Sequence, residues 1–317
     1  MGIKDLTLGI DTSNYTTSVA VVGKDGEIFR DIRKPLAVKA GDRGLRQSYA
    51  HFQHVETLPG LIGEAIDGEG RRLGAVGVSV RPRPVESSYM PVFRAGESFA
   101  TAISSVLGIP VFRFSHQEGH IEAVKRYSGL KNKEEFLCFH LSGGTCELLR
   151  ITGKKIEIIG GSRDISFGQV IDRVGVRLGI AFPCGARFDE ISLNAEASGN
   201  RLKDIPLNGL EINLSGIETQ AVKIIDGGLC AREREALIKE ILNKICNVII
   251  KMTERAVAST NLRDVMFTGG VSSSKYLYAA MRDYFHCGPV SIDFGDQRLA
   301  SDNAVGAALL GGKSLWQ

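Results

Sequence analysis

Two histidines one helical turn apart are the residues of this chain best suited to bind a metal ion. His116 and His120 stand in the segment SHQEGH, directly after the apolar run IPVFRF. Ser115 and Glu118 have the spacing of a capping box, which predicts that a helix begins here. Residues i and i+4 share one helix face, so the two imidazoles can converge on one ion, with Asp302 as an oxygen ligand from elsewhere. Ordinary surface histidines are the alternative, because HxxxH without the glutamate of HExxH is common.

Three short polar stretches could bind an anion. SGGT at 142–145 lies between two apolar runs, and successive glycine N–H groups can point at one anion. TGGVSSS at 268–274 follows the run VMF and could open a helix whose first amides attract an anion. The loop DTSNYT offers hydroxyls and amides near the N-terminus. Plain hairpin turns are the alternative for the glycine-rich stretches, whereas the three together favour a nucleotide bound between two lobes.

Other polar residues give weaker indications. Asp172 lies in GQVIDRVGVRLG among apolar neighbours and could bind ribose hydroxyls, with a solvated helix acid as the alternative. His51 and His54 lie one turn apart on another predicted helix, and we interpret them as structural or surface residues. Spacing alone assembles no Ser-His-Asp or Cys-His set, so nucleophilic catalysis is not indicated.

The same strand–turn–strand plan occurs twice along the chain. Apolar, β-branched runs at 6–10 and 17–22 flank DTSNYT, and the runs at 137–141 and 147–151 flank SGGT. This repetition predicts a duplicated α/β fold. Further strands are predicted at 74–80 and 263–268, and further helices at 94–107 and 234–258.

The polar stretch GLKNKEE at 129–135 is the best candidate for a domain boundary. We therefore predict an N-terminal lobe over residues 1–130 and a C-terminal lobe over residues 131–317. A final helix starting near Ser301 would carry Asp302 in its first turn and return toward the lobe junction.

Bulk composition excludes some classes of protein and requires none. With 317 residues, 43% hydrophobic, a net charge of +3 and a pI near 8.5, the chain has ample core and tolerates, without requiring, a nucleic-acid partner. Its six cysteines form no CxxC pair, which argues against a zinc ribbon or a disulfide framework. The sequence lacks signal-peptide features and any apolar run of ~18 residues, so we expect a cytoplasmic protein.

Longer segments resemble one known family in an unbroken order. They are LGIDTSNYTTSVAVV, HVETLPGLIGEAI, FRAGESFATAISSVLGIPV, SHQEGHIEA, LSGGTCEL, LSGIET, FTGGVSSS and SDNAVGAALLG. This set resembles the TsaD/Gcp family, the threonylcarbamoyl transferases once misnamed O-sialoglycoprotein endopeptidases. The resemblance implies a duplicated actin/Hsp70-like (ASKHA) fold with a ligand cleft between its two lobes. It also implies transfer of threonylcarbamoyl from threonylcarbamoyl-adenylate to N6 of adenosine 37 in tRNA.

The resemblance assigns roles to individual residues. It implies one divalent metal, iron in the family with zinc or manganese as alternatives, on His116, His120 and Asp302. It implies an adenylate or ATP-type nucleotide on Ser142, Gly143, Gly144, Asp172 and Gly185, with Ser274 at the position of the asparagine of GGVxxN. A TsaB-like paralogue or a second copy of the chain is the expected protein partner.

The chain also departs from the family pattern. Where the family has ETSCDETS, two acids are replaced by Tyr15 and Thr16, which can remove a proton acceptor. RPRPVESSYM replaces GPGLVGSL, so Arg81 and Arg83 either fill space or bind an anion. The family's PGGP turn reads PCGA, and Cys146 replaces a threonine. Three hypotheses remain open: the tRNA-modifying transferase, a related carbamoyl or acyl transferase with another acceptor, and a non-catalytic nucleotide-binding regulator.

Overall fold

The computed structural model describes residues 4–13, 15–39, 45–85, 87–196 and 199–316. The chain divides into two compact units, of which the first comprises Met1–Val38, Gly44–Tyr127 and Asp302–Gln317. The second comprises Lys39–Arg43 and Ser128–Ser301. Residues 302–317 thus belong to the first unit, whereas the division predicted at residue 130 had assigned them to the C-terminal lobe.

Strands and helices alternate in both units. The strands are β1 (Leu6–Ser13), β2 (Thr16–Gly23), β3 (Ile28–Pro35), β4 (Leu73–Arg81), β5 (Val111–Ser115), β6 (Glu135–Leu141), β7 (Cys146–Thr152), β8 (Lys155–Ser162), β9 (Leu207–Asn208), β10 (Glu211–Ile212), β11 (Asp264–Thr268) and β12 (Ser291–Asp293). The helices are α1 (Gln47–Ile66), α2 (Phe93–Leu107), α3 (His116–Arg126), α4 (Phe167–Arg177), α5 (Gly185–Asn194), α6 (Ser215–Asp226), α7 (Ala231–Thr260), α8 (Lys275–Phe285) and α9 (Val305–Trp316).

The sheet of the first unit has helices on both faces. Its strand order is β3-β2-β1-β4-β5, with β1 antiparallel to β2 and parallel to β4. Leu8, Val76 and Val78 belong to a buried cluster shared with α1 and α2 on one face. On the other face, a Cβ at Gly9 or Gly77 would overlap the backbone of α9. These two glycines therefore allow α9 to lie directly on the sheet.

The sheet of the second unit repeats this plan. Its order is β12-β11-β6-β7-β8-β10-β9, so that β8-β7-β6-β11-β12 has the connectivity of β3-β2-β1-β4-β5. Strands β9 and β10 extend the edge beside β8. A large core cluster joins one face of this sheet to α4 and α7, including Phe139, Phe267 and Ile241. The repeated strand order confirms the duplicated α/β fold predicted from the two hairpins.

The predicted elements are confirmed, with one shortened loop. The predicted strands at 74–80 and 263–268 correspond to β4 and β11, and the predicted helices at 94–107 and 234–258 to α2 and α7. In the first hairpin, however, Asp11–Ser13 belong to β1 and Thr16 opens β2. Over its described residues the polar stretch is therefore mostly strand, and the turn of the hairpin is shorter than predicted; Asn14 lies outside the described residues. No helix within the described ranges is long and apolar enough to cross a bilayer.

Candidate functional site

Three side chains of the first unit bring one donor atom each to a common point. The Nε2 atoms of His116 and His120 are 2.9 Å apart. Asp302 Oδ1 lies 3.3 Å from the Nε2 of His120 and 3.4 Å from that of His116. Ligands about 2.1 Å from one ion, in tetrahedral or octahedral geometry, are about 3.0 to 3.4 Å from each other. The structure thus brings together the three residues that the sequence singled out, with the spacing of ligands to one ion.

Helix α3 positions the two histidines through its cap. The Ser115 hydroxyl accepts from the Glu118 backbone N at 3.2 Å, and the Glu118 carboxylate accepts from the Ser115 backbone N at 2.7 Å. This is the predicted capping box, and it confirms that the helix begins at His116. Both histidines therefore lie in the first two turns of a helix whose start is fixed.

Asp302 reaches the histidines through a close crossing of two helices. The sequence predicted Asp302 in the first turn of the last helix, but α9 begins only at Val305. Asn303 caps this helix, because its side chain accepts from the Val305 backbone N at 3.0 Å. A Cβ on Gly306 would overlap the carbonyl oxygen of Gly119, so only glycine permits the contact between α9 and α3. Gly119 lies between the two histidines in sequence. The glycine contact therefore sets how near Asp302 comes to them.

Asp11 supports the site from β1 and was not identified from the sequence. Its Oδ2 lies 2.8 Å from His116 Nδ1, and its Oδ1 accepts from the Ser13 backbone N at 2.9 Å. The Asp11 side chain is 1% exposed. A carboxylate only accepts, so His116 donates its Nδ1–H and keeps the lone pair of Nε2 for the common point. An acid at the end of a buried strand was the available signal, but its histidine partner is 105 residues away.

The charges of this cluster favour a bound cation. Burial disfavours the imidazolium of His116, but Asp11 and Asp302 outweigh it and raise its pKa to about 10. Burial, together with the charge of His116, lowers the pKa of His120. Burial also opposes ionisation of Asp302, yet the two histidines hold its pKa well below the ordinary value. Without metal, the proton on His116 thus supplies the positive charge that the carboxylates of Asp11 and Asp302 attract. The two imidazoles and the Asp302 carboxylate are a set of donors that suits a divalent ion.

Exposure is uneven around the three ligands. The side chain of His120 is 1% exposed, that of His116 14% and that of Asp302 23%. Solvent or a substrate oxygen can therefore approach the cluster from the side of Asp302 and His116. Such an opening is typical of a catalytic rather than a structural metal site.

A second candidate site is a cavity of about 680 Å³ within the second unit. Four of the residues predicted to bind substrate or nucleotide line it: Gly143, Asp172, Gly185 and Ser274. Ser142 and Gly144 belong to the same turn but do not line the cavity. Its volume lies within the ~300–1,000 Å³ usual for small-molecule sites.

The SGG turn is held against the start of α4. Ser142 donates its backbone N–H to the Thr145 carbonyl at 2.9 Å, and the Ser166 hydroxyl donates to the Gly143 carbonyl at 2.6 Å. A Cβ on Gly143 or Gly144 would meet nothing within 4 Å. The turn is therefore fixed at its base, while its two glycines face open space.

Asp172 is a half-buried acid on the amphipathic helix α4, as predicted. Its Oδ1 accepts from the Cys184 backbone N at 2.8 Å. Burial raises its pKa, and the hydrogen bond from Cys184 opposes that shift only in part. A carboxylate in such surroundings gains from further donors, which sugar hydroxyls can supply.

At the start of α8, a carboxylate of the protein accepts from the groups that were predicted to bind an anion. Asp189 accepts from the Ser274 hydroxyl and, at 3.0 Å each, from the backbone N–H groups of Lys275 and Tyr276. Ser274 also accepts from the Leu277 backbone N at 3.1 Å. Ser274 thus lines the cavity with its hydroxyl already engaged as a helix cap.

The other predicted residues lie in the first unit. Arg81 is the last residue of β4, Arg83 is exposed in the turn that follows, and Tyr15 and Thr16 lie where β1 turns into β2. His54 is structural, as interpreted: its Nδ1 lies 2.7 Å from Thr17 Oγ1 and its Nε2 2.9 Å from the Ser13 carbonyl. Burial lowers the pKa of His54 to about 4.

Solved structures with similar folds are distant in sequence. Component A of the (R)-2-hydroxyglutaryl-CoA dehydratase of Acidaminococcus fermentans aligns over 100% of both chains with TM-score 0.59 and 14% identity. Full-length HypF, in its phosphate- and nucleotide-bound form, aligns over 99% of this chain and 56% of its own with TM-score 0.63 and 12% identity. A ROK family glucokinase from Streptomyces griseus aligns over 97% and 99% with TM-score 0.53 and 13% identity. These neighbours share the actin/Hsp70-like fold, which confirms the predicted fold class.

Sequence relatives point to one activity. The chain is 27% identical over 307 residues to a tRNA N6-adenosine threonylcarbamoyltransferase of Neorickettsia sennetsu, covering 95% of this chain and 91% of that protein. It is 26% identical over 311 residues to a probable bifunctional tRNA threonylcarbamoyladenosine biosynthesis protein of Methanocaldococcus jannaschii, covering 96% of this chain and 55% of that protein. It thus spans about half the length of the bifunctional relative.

The family assignment rests on one further comparison that spans most of the chain. A family model described as tRNA N6-adenosine threonylcarbamoyltransferase matches residues 39–309. This range includes His116, His120 and Asp302, which together form the metal-like cluster, and all the residues that line the cavity. Together with the motif order and the relatives, this match shows that the chain belongs to the TsaD family of tRNA threonylcarbamoyladenosine biosynthesis.

Proposed function

We propose that this protein transfers a threonylcarbamoyl group from its adenylate to the N6 amine of an adenosine in tRNA, with a divalent metal on His116, His120 and Asp302. The observation that carries the proposal is the convergence of these three donor atoms within 3.4 Å in a member of this family. Their separations fit one ion, and a bound cation would replace the positive charge that the proton on His116 supplies. This is the 2-His-1-carboxylate set typical of non-haem iron, so we favour iron, with zinc or manganese as alternatives.

A metal bound there would polarise a carbonyl oxygen of the acyl donor. The chain's own residues hold that site in one state. Asp11 fixes the tautomer of His116, burial keeps His120 neutral, and the opening beside Asp302 admits a ligand oxygen. In the transfer, a bond forms between N6 and the carbamoyl carbon, the bond from that carbon to the phosphate oxygen breaks, AMP leaves, and the amine loses a proton.

We propose that the cavity of the second unit binds the nucleotide part of the donor. Asp172 would accept from ribose hydroxyls, and Gly143 of the SGG turn, whose Cβ position is open, would let a phosphate approach the backbone. Gly185 and Ser274 would complete its wall. The same reasoning predicts that AMP is both product and inhibitor.

A second candidate function is transfer to a different acceptor. Tyr15 and Thr16 stand where the family has two acids, and Arg81 and Arg83 stand where it has a glycine-rich segment. These changes leave the metal-like cluster intact and alter residues at the turn between β1 and β2 and at the end of β4. We infer that a TsaB-like paralogue, or a second copy of this chain, is the protein partner, and that the reaction takes place in the cytoplasm with tRNA.

Reconstitution tests the proposal directly. The purified chain, a divalent metal, threonylcarbamoyl-adenylate, the partner proteins and unmodified tRNA should yield threonylcarbamoyladenosine, measured by mass spectrometry of nucleosides. His120→Ala should abolish the product, whereas His286→Ala, which removes an exposed histidine, should not. Unmodified tRNA, under conditions in which a typical family member is active, would disprove this acceptor. Transfer of the labelled acyl group to another amine in an acceptor screen would then support the second candidate.

A further inference from the structure

The guanidinium of Arg81 carries a buried N–H group for which the described residues provide no acceptor. Its Nε is buried and meets no acceptor among the described residues. None of the ion pairs found within those residues includes Arg81. Buried guanidinium N–H groups normally have partners, so an unpartnered one is open to a ligand or a water from outside the chain.

The main chain fixes Arg81 beside the metal-like cluster. Arg81 pairs in parallel register with Ser115, and the Pro82 carbonyl accepts from the Gln117 backbone N at 3.0 Å. Ser115 and Gln117 are the sequence neighbours of His116. Proline after Arg81 also restricts its backbone to extended conformations. The position of Arg81 relative to His116 is therefore set by backbone contacts rather than by a mobile loop.

A bulge interrupts the strand alternation of β4 just before Arg81. Val76 and Val78 belong to the cluster of apolar residues on the α1 and α2 side, and Val80 packs against it. Ser79 lies on the opposite side, where its hydroxyl would be 3.9 Å from a Cβ on Gly119 of α3. Beyond Ser79 this alternation is interrupted, because Ser79 pairs with Phe114 whereas Arg81 pairs with the next residue, Ser115. The register shift between Ser79 and Arg81 is a bulge, a device that often re-aims a side chain next to an active site.

Charge indicates what Arg81 would bind. Asp11 and Asp302 carry two negative charges at the cluster, which a divalent ion would neutralise. An anionic group bound at the ion's open positions would then lack a compensating cation. Arg81, whose planar guanidinium matches the two oxygens of a carboxylate or phosphate, can supply it. Arg83 is exposed, so Arg81 is the better placed of the two arginines.

We propose that Arg81 binds an oxyanion of the acyl donor beside the metal ligands, and that it is a specificity-determining residue of this chain. The oxyanion is either the carboxylate of the acyl group or the phosphate of the adenylate. The proposal rests on the proposed function for the identity of the donor, but not for the existence of an anion site.

Four anions separate the possibilities in titration calorimetry of the metal-loaded protein at constant ionic strength. Acetate and inorganic phosphate report on the anion site alone. N-carbamoylthreonine carries the carboxylate without the phosphate, and AMP carries the phosphate without the carboxylate. The variants are Arg81→Gln, Arg81→Lys and the matched control Arg71→Gln, which removes the same charge from an exposed position at the other end of β4.

We expect Arg81→Gln to weaken at least one anion by about 10- to 100-fold, the loss typical of charge-assisted hydrogen bonds. Arg81→Lys should retain part of the affinity, and Arg71→Gln should match the wild type. A loss for N-carbamoylthreonine alone assigns the acyl carboxylate, whereas a loss for AMP alone assigns the phosphate. If the wild type binds phosphate or acetate through Arg81 but neither fragment, the anion site stands and the proposed donor is wrong.

Two results would overturn the Arg81 proposal. The first is equal affinity of Arg81→Gln and Arg71→Gln for all four anions, including no measurable binding by the wild type. The second is a fall in the unfolding temperature of anion-free Arg81→Gln far below that of Arg71→Gln. An anion-binding arginine without its ligand is unpaired, so its removal should leave that temperature unchanged or raise it.

Discussion

Asp11→Asn tests whether the cluster binds a metal through a fixed tautomer of His116. Asparagine keeps one oxygen for the Ser13 backbone N, so its amide nitrogen turns toward His116 Nδ1. That nitrogen donates, and the proton of the imidazole must then move to Nε2. A protonated Nε2 has no lone pair for an ion. The variant should therefore fold but bind metal weakly.

The size of the effect follows from the bond that is lost. Asp11 is 1% exposed and lies 2.8 Å from His116 Nδ1, so the hydrogen bond is short, charged and shielded from water. Such a bond contributes about 1.5 to 3 kcal/mol, which is about 10- to 100-fold in a dissociation constant. Partners of metal-bound histidines elsewhere have effects of about the same size.

Competition of the protein with a chromophoric chelator for Zn²⁺ and Fe²⁺ measures this affinity. Asp67→Asn is the control, since it makes the same chemical change at an exposed residue after α1. We expect Asp11→Asn to raise the dissociation constant at least tenfold and Asp67→Asn to leave it unchanged. Wild-type affinity in Asp11→Asn, with a native circular dichroism spectrum, would refute the role of Asp11.

Three further predictions follow from the same contacts. Gly306→Ala should destabilise the protein by about 1 to 3 kcal/mol in urea unfolding and weaken metal binding, because its Cβ would overlap the Gly119 carbonyl. The control is Gly119→Ala, whose Cβ meets nothing nearer than 3.7 Å. This second variant should be neutral or stabilising in urea unfolding. Metal affinity should rise about tenfold per pH unit from pH 6 to 9, since His116, with a pKa of about 10, must release a proton when the metal binds. Calorimetry in buffers of different pH measures this, and a dissociation constant that does not change with pH would contradict it. Because the pKa of His54 is lowered to about 4 in the folded protein, its contribution to the free energy of unfolding is complete above pH 6.5 and falls by ~3 kcal/mol as the pH drops toward 4. In denaturant titrations, His54→Gln should lose that part of the pH dependence of stability. An unchanged pH dependence in the variant would exclude this role of His54.

Local features of the chain were readable because their physics is local. The start of α3 depends on Ser115 and Glu118, three residues apart, and the shared face of His116 and His120 depends only on helical geometry. The hairpins of both units follow from alternating apolar runs around short polar segments. Repetition of that pattern was enough to predict a duplicated fold.

Other features were misread where long-range contacts override local preference. The DTSNYT stretch has the composition of a loop, yet Ser13 is a strand residue whose carbonyl lies 2.9 Å from the Nε2 of buried His54. The glycine-rich start of α8 has the composition of an anion site, yet Asp189 of α5 occupies it. In both cases the deciding partner lies far along the chain.

The metal-like cluster divides in the same way between sequence and structure. The sequence by itself determined its donor types and the spacing of His116 and His120, because one helix carries both. Only the tertiary structure decided that Asp302, 182 residues beyond His120, comes within 3.3 Å of it, since a contact between two glycines lets α3 and α9 cross at that point. It also decided that Asp11 supports His116 and that Arg81 has no partner among the described residues, because both depend on which strands lie beside the start of α3.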